Sequence, residues 1–398
     1  MTTKAGVGMS HHHNPNVAGP QAADKALKNA GVDRPDFVIM FASVGYDQHS
    51  LLGAVREATG GAPLSGCSAE GTIDGDEADE SNFSVVVTVI SSDELQWTNG
   101  LVKGLSGDSR AVGQRVAQDL LPHLSAEPIG LFIFPDGLTY DIDHFFAGLE
   151  GDLPGDRFLP IWGGGAGNSL NLGKPTYQYC DDEVASDGIS YALLTGEARP
   201  AWAIGHSLIP IGSERIVTHS QGNVIYEIDG RSAVEVLKEY LPEDALTEDR
   251  DWLRYGISLA LSFRAPSYMK DEEFVVRGVP QLSLADGFIS VQTEVPEGTS
   301  IWFSSRDKEK IITGFDRMAA QIKDQLGGEK PTLVFQFECV TRGNLMFREQ
   351  EKLQVLKRFR QSVSPEVPWV GFYTIGEIAP VEEHNGINRF ASVILAIS

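Results

Sequence analysis

The sequence contains few cysteines and no long apolar run. Its three cysteines, Cys67, Cys180 and Cys339, are an odd number, lie far apart and form no Cys-x-x-Cys pair. This spacing supports neither a disulfide framework nor a zinc site with closely spaced ligands. The longest apolar stretch, around residues 83–90, is too short to span a bilayer as a helix. Because residues 1–10 lack the charged start and apolar core of a signal peptide, we expect a cytoplasmic, reducing location.

Basic residues are also scarce relative to acidic ones. The 398 residues include 55 aspartates and glutamates but only 32 lysines and arginines, which gives a formal net charge of -23. Such a surface repels the phosphates of nucleic acid and of anionic membranes, so we expect neither as a partner. The 42% hydrophobic content suffices for ordinary cores, and the length allows two or three domains. We therefore expect a folded, globular protein whose acidity mainly keeps it soluble.

Signatures of nucleotide chemistry are missing as well. The glycine-rich stretch at residues 163–167 superficially resembles a dinucleotide fingerprint, but Asn168 stands where the last glycine should be. Residues 169–175 do not have the pattern of a helix start either. The sequence contains no Walker A, protein-kinase or His-Glu-x-x-His motif. We therefore do not expect nucleotide-dependent catalysis, and we expect a binding protein rather than an enzyme.

A glycine-containing motif occurs three times and is the clearest pattern in the chain. Its copies lie at residues 66–73, 163–167 and 371–378, each after a short apolar run and before a β-rich segment. Upstream of each copy, a strand-like apolar run is followed by apolar residues at helical spacing. Agreement in the order and type of elements over whole units indicates an internal repeat. The sequence therefore predicts repeated strand-helix-strand-strand units.

These units predict an α/β protein with mixed sheets flanked by helices and with two tandem domains. We expect residues 1–18 to form a flexible arm, because they are polar and glycine-rich. Residues 19–228 would form an N-terminal domain with two of the repeat units, and residues 229–398 a C-terminal domain with the third. The acidic residues 242–251 have the character of a solvated connection near this boundary.

Four stretches of the chain resemble a known family. They lie at residues 66–71, 222–230, 339–343 and 371–378, and in order and approximate spacing they are similar to the FIST family. The resemblance covers the chain from about residue 20 to residue 398. It implies an N-terminal and a C-terminal FIST domain in tandem.

The resemblance also implies a function. It suggests an intracellular sensory module of signal transduction that binds a small ligand such as an amino acid. Because nothing follows Ser398 that could act as an output domain, we expect signalling through a separate protein such as a kinase, a cyclase or a chemoreceptor. Some relatives are regarded as haem-based nitric-oxide sensors. Haem is therefore a possible cofactor, although no cofactor is otherwise expected.

The loops that follow strands are the expected ligand site, because backbone N–H groups converge at the carboxyl ends of strands. The planar fork of Arg342 is suited to a ligand carboxylate, and Glu377 or Asp47 to an ammonium group. A Tyr-Asp pair follows the first strand of two units, at residues 46–47 and 140–141. The candidate ligand-binding residues are Ser43, Tyr46, Asp47, Gly66, Cys67, Ser68, Arg342, Tyr373, Thr374 and Glu377.

A structural role for the glycines is the alternative, since glycine after a strand commonly serves a tight turn. Three copies in one chain favour a shared turn geometry over three binding sites. The chemistry would then belong to the side chains that differ between copies, namely those at positions 67, 68 and 70 against those at 373, 374 and 377. Arg342 could equally bridge the two domains.

Two further alternatives rest on single side chains. Cys67 could be a nucleophile if a base lay nearby in space, although a buried, inert thiol is the commoner state. His144 or His206 could be an axial haem ligand, but no Cys-x-x-Cys-His attachment motif is present. The histidines at residues 11–13 could hold a stray metal ion without defining a closed site. No specific metal site is expected.

Overall fold

A computed structural model describes residues 3–398 except 125–127, 139–140, 155–157, 172, 207, 265–273 and 292, and it describes only the backbone of residues 253–254. Tyr140, one half of the second Tyr-Asp pair, lies outside the described residues. The chain divides into two compact units. The first consists of Met1–Gly205 together with Ile312–Ser398, and the second of His206–Ile311.

The first repeat occupies the start of the first unit. Its first helix begins after Asn14, whose side chain accepts a hydrogen bond from the Asn16 N–H, and ends at Gly31 in a left-handed conformation with a φ of 65°. The elements are β1 (Lys4–Ser10), α1 (Pro15–Ala30), β2 (Phe37–Ala42), α2 (Gln48–Ala58), β3 (Leu64–Ser68), β4 (Gly71–Asp74), β5 (Glu77–Asp79) and β6 (Val85–Ser91).

The second repeat has the same order of elements. Its first helix begins at the capping residue Asp108, which accepts a hydrogen bond from the Ala111 N–H. The elements are β7 (Leu95–Lys103), α3 (Ser109–Leu120), β8 (Pro128–Pro135), α4 (Ile142–Asp152), β9 (Ile161–Gly164), β10 (Gln178–Cys180), β11 (Glu183–Ala185) and β12 (Gly188–Gly196).

The third repeat begins with β13 (Pro200–His206), after which the chain enters the second unit. That unit is mainly antiparallel, and its core includes Val217, Ile225 and Phe303. Its elements are β14 (Leu208–Gln221), β15 (Val224–Ile228), β16 (Arg231–Ser232), α5 (Ala233–Lys238), α6 (Trp252–Tyr255), β17 (Leu259–Arg264), β18 (Phe274–Arg277), β19 (Gln281–Ser283), β20 (Phe288–Ser290) and β21 (Ser300–Arg306), which form a sheet in the order β18-β17-β21-β14-β15-β20-β19 with β16 beside β15.

The third repeat then resumes in the first unit. Helix α7 has apolar residues at 311, 315, 318 and 322, a helical spacing, and these side chains are buried. The elements are α7 (Lys308–Leu326), β22 (Leu333–Cys339), α8 (Glu349–Val363), β23 (Trp369–Thr374), β24 (Glu377–Ile378), β25 (Ile387–Asn388) and β26 (Ala391–Ile397).

The three repeats have the same strand order, which confirms the predicted units. In each sheet the strand before the second helix pairs in parallel with the strand after it, and antiparallel with the last strand of the repeat. The sheets have the orders β1-β6-β2-β3-β10-β11, β25-β24-β9-β8-β12-β7 and β13-β26-β22-β23-β4-β5.

Each repeat also contributes a short hairpin to the sheet of another repeat. The hairpin β4-β5 of the first repeat extends the third sheet, where Gly71 pairs with Tyr373. The hairpin β10-β11 of the second repeat extends the first sheet, and β24-β25 of the third extends the second sheet. This exchange closes a ring of three sheets and covers the strand edges that β3, β9 and β23 would otherwise expose.

The faces of the strands alternate between the interior of the ring and the helices. Phe41, Phe134 and Phe372, one from each sheet, meet inside it, with ring centroids 4.2 Å apart for the pair Phe41–Phe372 and 5.3 Å for Phe41–Phe134. On the other face of the first two sheets, aliphatic side chains pack against α1 and α2 or against α3 and α4. Full burial of each aromatic side chain contributes roughly 1.5–3 kcal/mol.

The prediction of a flexible arm at residues 1–18 is wrong. Strand β1 pairs with β6 along its whole length, and Val7 and Met9 belong to the interior core. The glycines suggested flexibility, but they allow α1 to approach. A Cβ on Gly6 would lie 2.2 Å from the Ala26 carbonyl oxygen.

The expected domain boundary also differs from the division seen in the structure. Residues 228 and 229 lie inside the second unit, and residues 312–398 belong to the first unit together with residues 1–205. The reason is that β22, β23 and β26 need the first repeat's hairpin and β13 to complete their sheet. Residues 206–311 and 312–398 follow one another in the sequence but therefore belong to different compact units.

No helix in the described part of the chain combines the length and the apolar character that crossing a membrane requires. The cytoplasmic location stays a prediction.

Substitution of the first glycine of a repeated motif should be severe, because its α-carbon faces a neighbouring carbonyl group. A Cβ on Gly163 would lie 1.9 Å from the Ile133 carbonyl oxygen, and Gly66 has the same contact with Met40. We expect Gly163→Ala to lower the free energy of unfolding by roughly 2–4 kcal/mol, measured by urea unfolding. The control is Gly151→Ala, where an added Cβ would meet no described atom within 4 Å apart from its chain neighbours and the backbone of its own helix. An equal loss in both variants would refute this explanation.

Candidate functional site

The three glycine-containing loops meet and hydrogen-bond to one another. The contacts that join them are Glu70 N–H to Tyr373 O, Gly165 N–H to Gly376 O and Gly167 N–H to Ser68 O, each at 2.9 Å. A Cβ on Gly165 or on Gly167 would lie 2.6 Å from a backbone atom of the facing loop. The glycines therefore serve backbone packing between repeats, which supports the structural alternative over a ligand cradle.

Glu70 stabilises the contact between the first and the second of these loops. Its buried carboxylate accepts hydrogen bonds from the N–H groups of Asn168 at 2.7 Å and of Leu170 at 2.6 Å. Ser169 and Leu170 both have a positive φ, of 56° and 52°, so the carboxylate stabilises a strained turn. Burial raises the pKa of Glu70 to about 7 in spite of these donors. Among the polar residues of the first motif, Glu70 thus has a clear structural task.

The expected site residues of the first motif, Gly66, Cys67 and Ser68, are inside the protein. The Ser68 hydroxyl donates to the Gly167 carbonyl oxygen at 2.6 Å and accepts from the Tyr177 N–H at 2.8 Å. Cys67 is fully buried, and burial raises the pKa of its thiol well above the usual range. These facts are typical of an inert core cysteine and argue against the nucleophile.

The three candidate residues in the loop after β2 have different environments. The Ser43 hydroxyl donates to the Ser81 carbonyl oxygen at 2.7 Å. The buried ring of Tyr46 packs edge-on against Phe83, at 5.3 Å between centroids. Asp47 is exposed and caps α2 by accepting from the Ser50 N–H, and hydrogen bonds from the side chain and then the backbone of Ser50 lower the pKa of Asp47. The structure therefore gives Asp47 a capping role at the surface.

Arg342 is not available to a ligand carboxylate, contrary to the prediction. Its side chain is 1% exposed, and its Nε lies 2.5 Å from Glu338 Oε1. Its Nη1 donates to the Gly205 carbonyl oxygen at 3.0 Å, and its guanidinium lies 5.1 Å from the centroid of the Phe315 ring. All these partners belong to the first unit. Because Glu338 and the Gly205 carbonyl oxygen already occupy the guanidinium of Arg342, it does not offer its planar fork to a ligand.

Tyr373 lies beneath a second buried ion pair. Lys352 Nζ is 5.8 Å from the centroid of the Tyr373 ring, and it lies 2.8 Å from Glu80 Oε1. Lys352 also donates to Asn344 Oδ1 at 2.9 Å. Burial raises the pKa of Glu80, while Lys352 opposes that shift. The pair joins the end of β5 to α8.

An open cleft of about 540 Å³ lies above this ion pair. Four carboxylates line it, and Glu77, Asp79 and Glu80 come from the β5 segment while Glu349 comes from α8. We call it the acidic cleft; it is lined by Met9, His11, Glu77, Ala78, Asp79, Glu80, Ser81, Asn344, Glu349 and Leu353. Its volume is within the range of small-molecule sites.

Sequence reasoning missed this cleft. The available signal was the acidic run at residues 74–80, but α8 belongs to another repeat and only the hairpin exchange brings it near. Ser43 holds the cleft residue Ser81, and Tyr373 supports Lys352 from below. Ser43 and Tyr373 therefore lie next to the cleft, and none of the ten candidate residues lines it.

Thr374 and Glu377 belong to a separate buried group on the interior face of the second sheet. The Thr374 hydroxyl donates to Glu377 Oε1 at 2.7 Å, and the Ala391 N–H donates to Oε2 at 3.1 Å. Asn388 is the cross-strand neighbour of Glu377. We call Thr374, Glu377, Asn388 and Arg389 the Glu377 cluster. Burial raises the pKa of Glu377 to about 7, and Arg389 only partly offsets this.

The histidines do not converge on a common site. His11 Nδ1 lies 2.5 Å from Asp79 Oδ2, His12 accepts from the Asn14 N–H, and His13 packs against Phe83. His144 pairs with Asp141 at the surface with a 66% exposed side chain, a poor environment for a haem ligand. His206 is buried. No group of three or more potential metal ligands occurs among the described residues.

Removal of Arg342 should destabilise the protein strongly, because Glu338 would stay buried without its cation. We expect Arg342→Ala to lower the free energy of unfolding by about 3–5 kcal/mol, measured by urea unfolding. The matched double variant Glu338→Leu with Arg342→Met should lose less, since neither charge remains buried. If Arg342→Ala were harmless, the pair would not be buried as described.

Glu377 should make stability depend on pH. Its folded pKa of about 7 is above its ordinary value of 4.5, so the folded state binds the proton more tightly and loses stability as pH rises from about 4.5 through 7. Relative to Glu377→Gln, we expect the wild type to lose on the order of 3 kcal/mol between pH 4.5 and 8. Urea unfolding of both proteins across this range measures it, and parallel curves would contradict the raised pKa.

Comparison with known proteins identifies relatives over most of the chain. An uncharacterized protein of Mycobacterium tuberculosis is 25% identical over 411 residues, which cover 98% of this chain and 98% of that protein. An uncharacterized protein of Methanocaldococcus jannaschii is 26% identical over 317 residues, which cover 74% of this chain and 58% of that protein. Neither name states a function.

Two solved structures show weaker likeness. A chorismatase covers 100% of this chain and 99% of its own at 10% identity, with a TM-score of 0.36. A cyanuric acid hydrolase from A. caulinodans covers 49% of this chain and 72% of its own at 12% identity, with a TM-score of 0.27. Both scores are below 0.5, so nothing about chemistry follows from them.

Family profiles match most of the sequence. The FIST N domain matches residues 36–231, and the FIST C domain matches residues 233–380. The two matches follow one another in the order that the sequence motifs predict. The chain therefore belongs to the FIST family, whose domains are generally sensor domains of signal transduction.

Proposed function

We propose that this protein is a sensor that binds a small metabolite with an ammonium group, such as an amino acid, in the acidic cleft and passes the bound state to a separate signalling protein. The observation that carries the proposal is the cleft itself, an open cavity of about 540 Å³ with four carboxylates in its lining. Polar groups that converge on a cavity are the usual mark of a ligand site.

The charges in the cleft favour a cationic group. Lys352 contacts Glu80 at 2.8 Å and Glu349 at 3.2 Å, so one ammonium group already serves two of the four carboxylates. Glu77 and Asp79 lie on the opposite wall, where His11 contacts Asp79. A ligand ammonium near Glu77 and Asp79 would gain charge-assisted hydrogen bonds. In the lining, the side-chain Nδ2 of Asn344 and the imidazole of His11 could donate to the carboxylate of an amino acid.

The position of the cleft supports a sensing role. One wall is β5 of the first repeat, and the other is α8 and the Asn344 loop of the third. The Asn344 N–H donates to Glu80 Oε1 at 2.9 Å, so the walls already share contacts. A ligand held by both walls stabilises the arrangement in which they are close, and it shifts the population of that arrangement by its differential affinity. A partner such as a kinase, a cyclase or a chemoreceptor would read the shift.

Neutralising one wall of the cleft should weaken ligand binding. A thermal-shift screen of amino acids and amines would identify the ligand, since a ligand at 100 times its Kd stabilises the folded state by about 2.7 kcal/mol. Calorimetry would then compare the affinity of the wild type for that ligand with the affinity of the double variant Glu77→Gln, Asp79→Asn. We expect about tenfold weaker binding or more, because each charge-assisted hydrogen bond contributes about 1.5–3 kcal/mol.

The control is Glu366→Gln with Asp93→Asn, which removes the same charges from exposed positions outside the cleft. Binding should also weaken as salt screens the carboxylates. Equal losses in both double variants would mean that only the net charge matters. A screen in which no amine or amino acid stabilises the protein would refute the proposal.

A further inference from the structure

We propose that the Glu377 cluster is a second binding site, distinct from the acidic cleft, and that it takes the carboxylate group of a small organic acid. The groups that would hold this carboxylate are Asn388 and Arg389, with Glu377 beside them. This proposal does not depend on the ligand of the acidic cleft.

Two donors in the cluster have no hydrogen-bond partner in the described part of the chain. Asn388 is 7% exposed, and its buried Nδ2 makes no hydrogen bond to the residues that the structure describes. The buried Nε of Arg389 makes none either, while Nη1 reaches only the Ile375 carbonyl oxygen at 3.4 Å. A buried donor without an acceptor costs free energy, so such groups call for an explanation. Asn388 lies opposite Glu377 across the strand pair, and the charge of Arg389 acts on the Glu377 carboxyl group, so an acceptor from outside the chain could use both donors.

The other repeats show that the fold does not require these side chains. The pair Glu377–Asn388 corresponds to Thr72–Asp79 in the hairpin of the first repeat and to Gln178–Ala185 in that of the second. Alanine is therefore acceptable at the position of Asn388. Strand pairing therefore does not require an amide at this position of the third repeat, and a binding role would account for it.

The donor set selects the chemical class. Both oxygens of Glu377 already accept hydrogen bonds, from Thr374 and from Ala391, so a ligand ammonium would find its acceptor partly occupied. The unpartnered atoms of Asn388 and Arg389 are donors, and Arg389 brings a positive charge that acts on Glu377. A carboxylate provides two acceptor oxygens and a negative charge for this guanidinium.

Binding of a carboxylate here should add a proton to Glu377. The charged or titratable groups that act on Glu377 are Arg389, Glu338 and Cys339, and burial keeps the Cys339 thiol protonated by raising its pKa to about 12. A second negative charge beside Glu377 favours its neutral form, so a proton from solvent moves onto its carboxylate as the ligand enters. Affinity should accordingly fall as pH rises above 7.

The test measures binding of acetate, pyruvate and succinate by calorimetry and thermal shift at constant ionic strength, with chloride as the comparison. We expect at least one carboxylate to bind with proton uptake, seen as heats that differ between buffers of different ionisation enthalpy. Asn388→Ala and Arg389→Ala should each weaken that binding by about tenfold, the loss of roughly one hydrogen bond. Arg358→Ala, at an exposed position on α8, is the charge-matched control and should change nothing.

Asn388→Ala separates binding from stability. Because it removes an unpartnered buried donor, the ligand-free variant should keep or raise its Tm while its response to the carboxylate falls. If Arg389→Ala does not fold, Arg389→Lys keeps the charge without the fork and should still weaken binding. Glu377→Gln should make binding independent of pH between 6 and 8.

Three results would overturn the proposal: no response to any of the three carboxylates, a response to chloride equal to that of the carboxylate, or binding that Asn388→Ala and Arg389→Ala leave unchanged. Because the acidic cleft contains none of these residues, its own ligand response is expected to persist in the variants, and the two proposals fail separately.

Discussion

The exchange of short hairpins between repeats is the constraint on which the first unit depends. Each of β3, β9 and β23 would leave a row of backbone N–H and C=O groups unpaired if the hairpin of another repeat did not cover it. The loops that lead into these hairpins must pass one another closely enough to hydrogen-bond. Glycine occurs where the loops touch because a side chain would collide with the facing backbone. Closure of the ring of sheets therefore depends on the glycines of the repeated motif.

A ring of three similar units leaves its equivalent positions free to carry different chemistry. The pairs Thr72–Asp79, Gln178–Ala185 and Glu377–Asn388 occupy the same place in the three hairpins. One of them reaches the acidic cleft through Asp79, and another forms the Glu377 cluster. The expectation that function lies in the side chains that differ between copies is consistent with this arrangement, although the important side chains lie on the hairpins rather than in the glycine loops.

Buried charge has two different meanings in this protein. Arg342 and Glu338 satisfy one another, together with backbone and side-chain partners, so they form a closed structural unit. Glu377 has an incomplete environment, because donors beside it lack partners. Sequence reasoning placed Arg342 and Glu377 in one ligand site because both follow a strand. It could not distinguish them, because the sequence does not show whether the Glu338 carboxylate packs against the Arg342 guanidinium. Tertiary packing decides that contact.

The sequence by itself determined the α/β class, the three repeated units and the helices whose apolar residues recur at helical spacing, because these follow from local periodicity. Tertiary structure decided that residues 4–10 form a strand, that residues 312–398 complete the unit begun by residues 1–205, and that β5 faces α8 across the acidic cleft. These features depend on which strand edges meet over long sequence distances. Periodicity records which face of a strand is buried, but it carries no information about the strand that will pair with its edge.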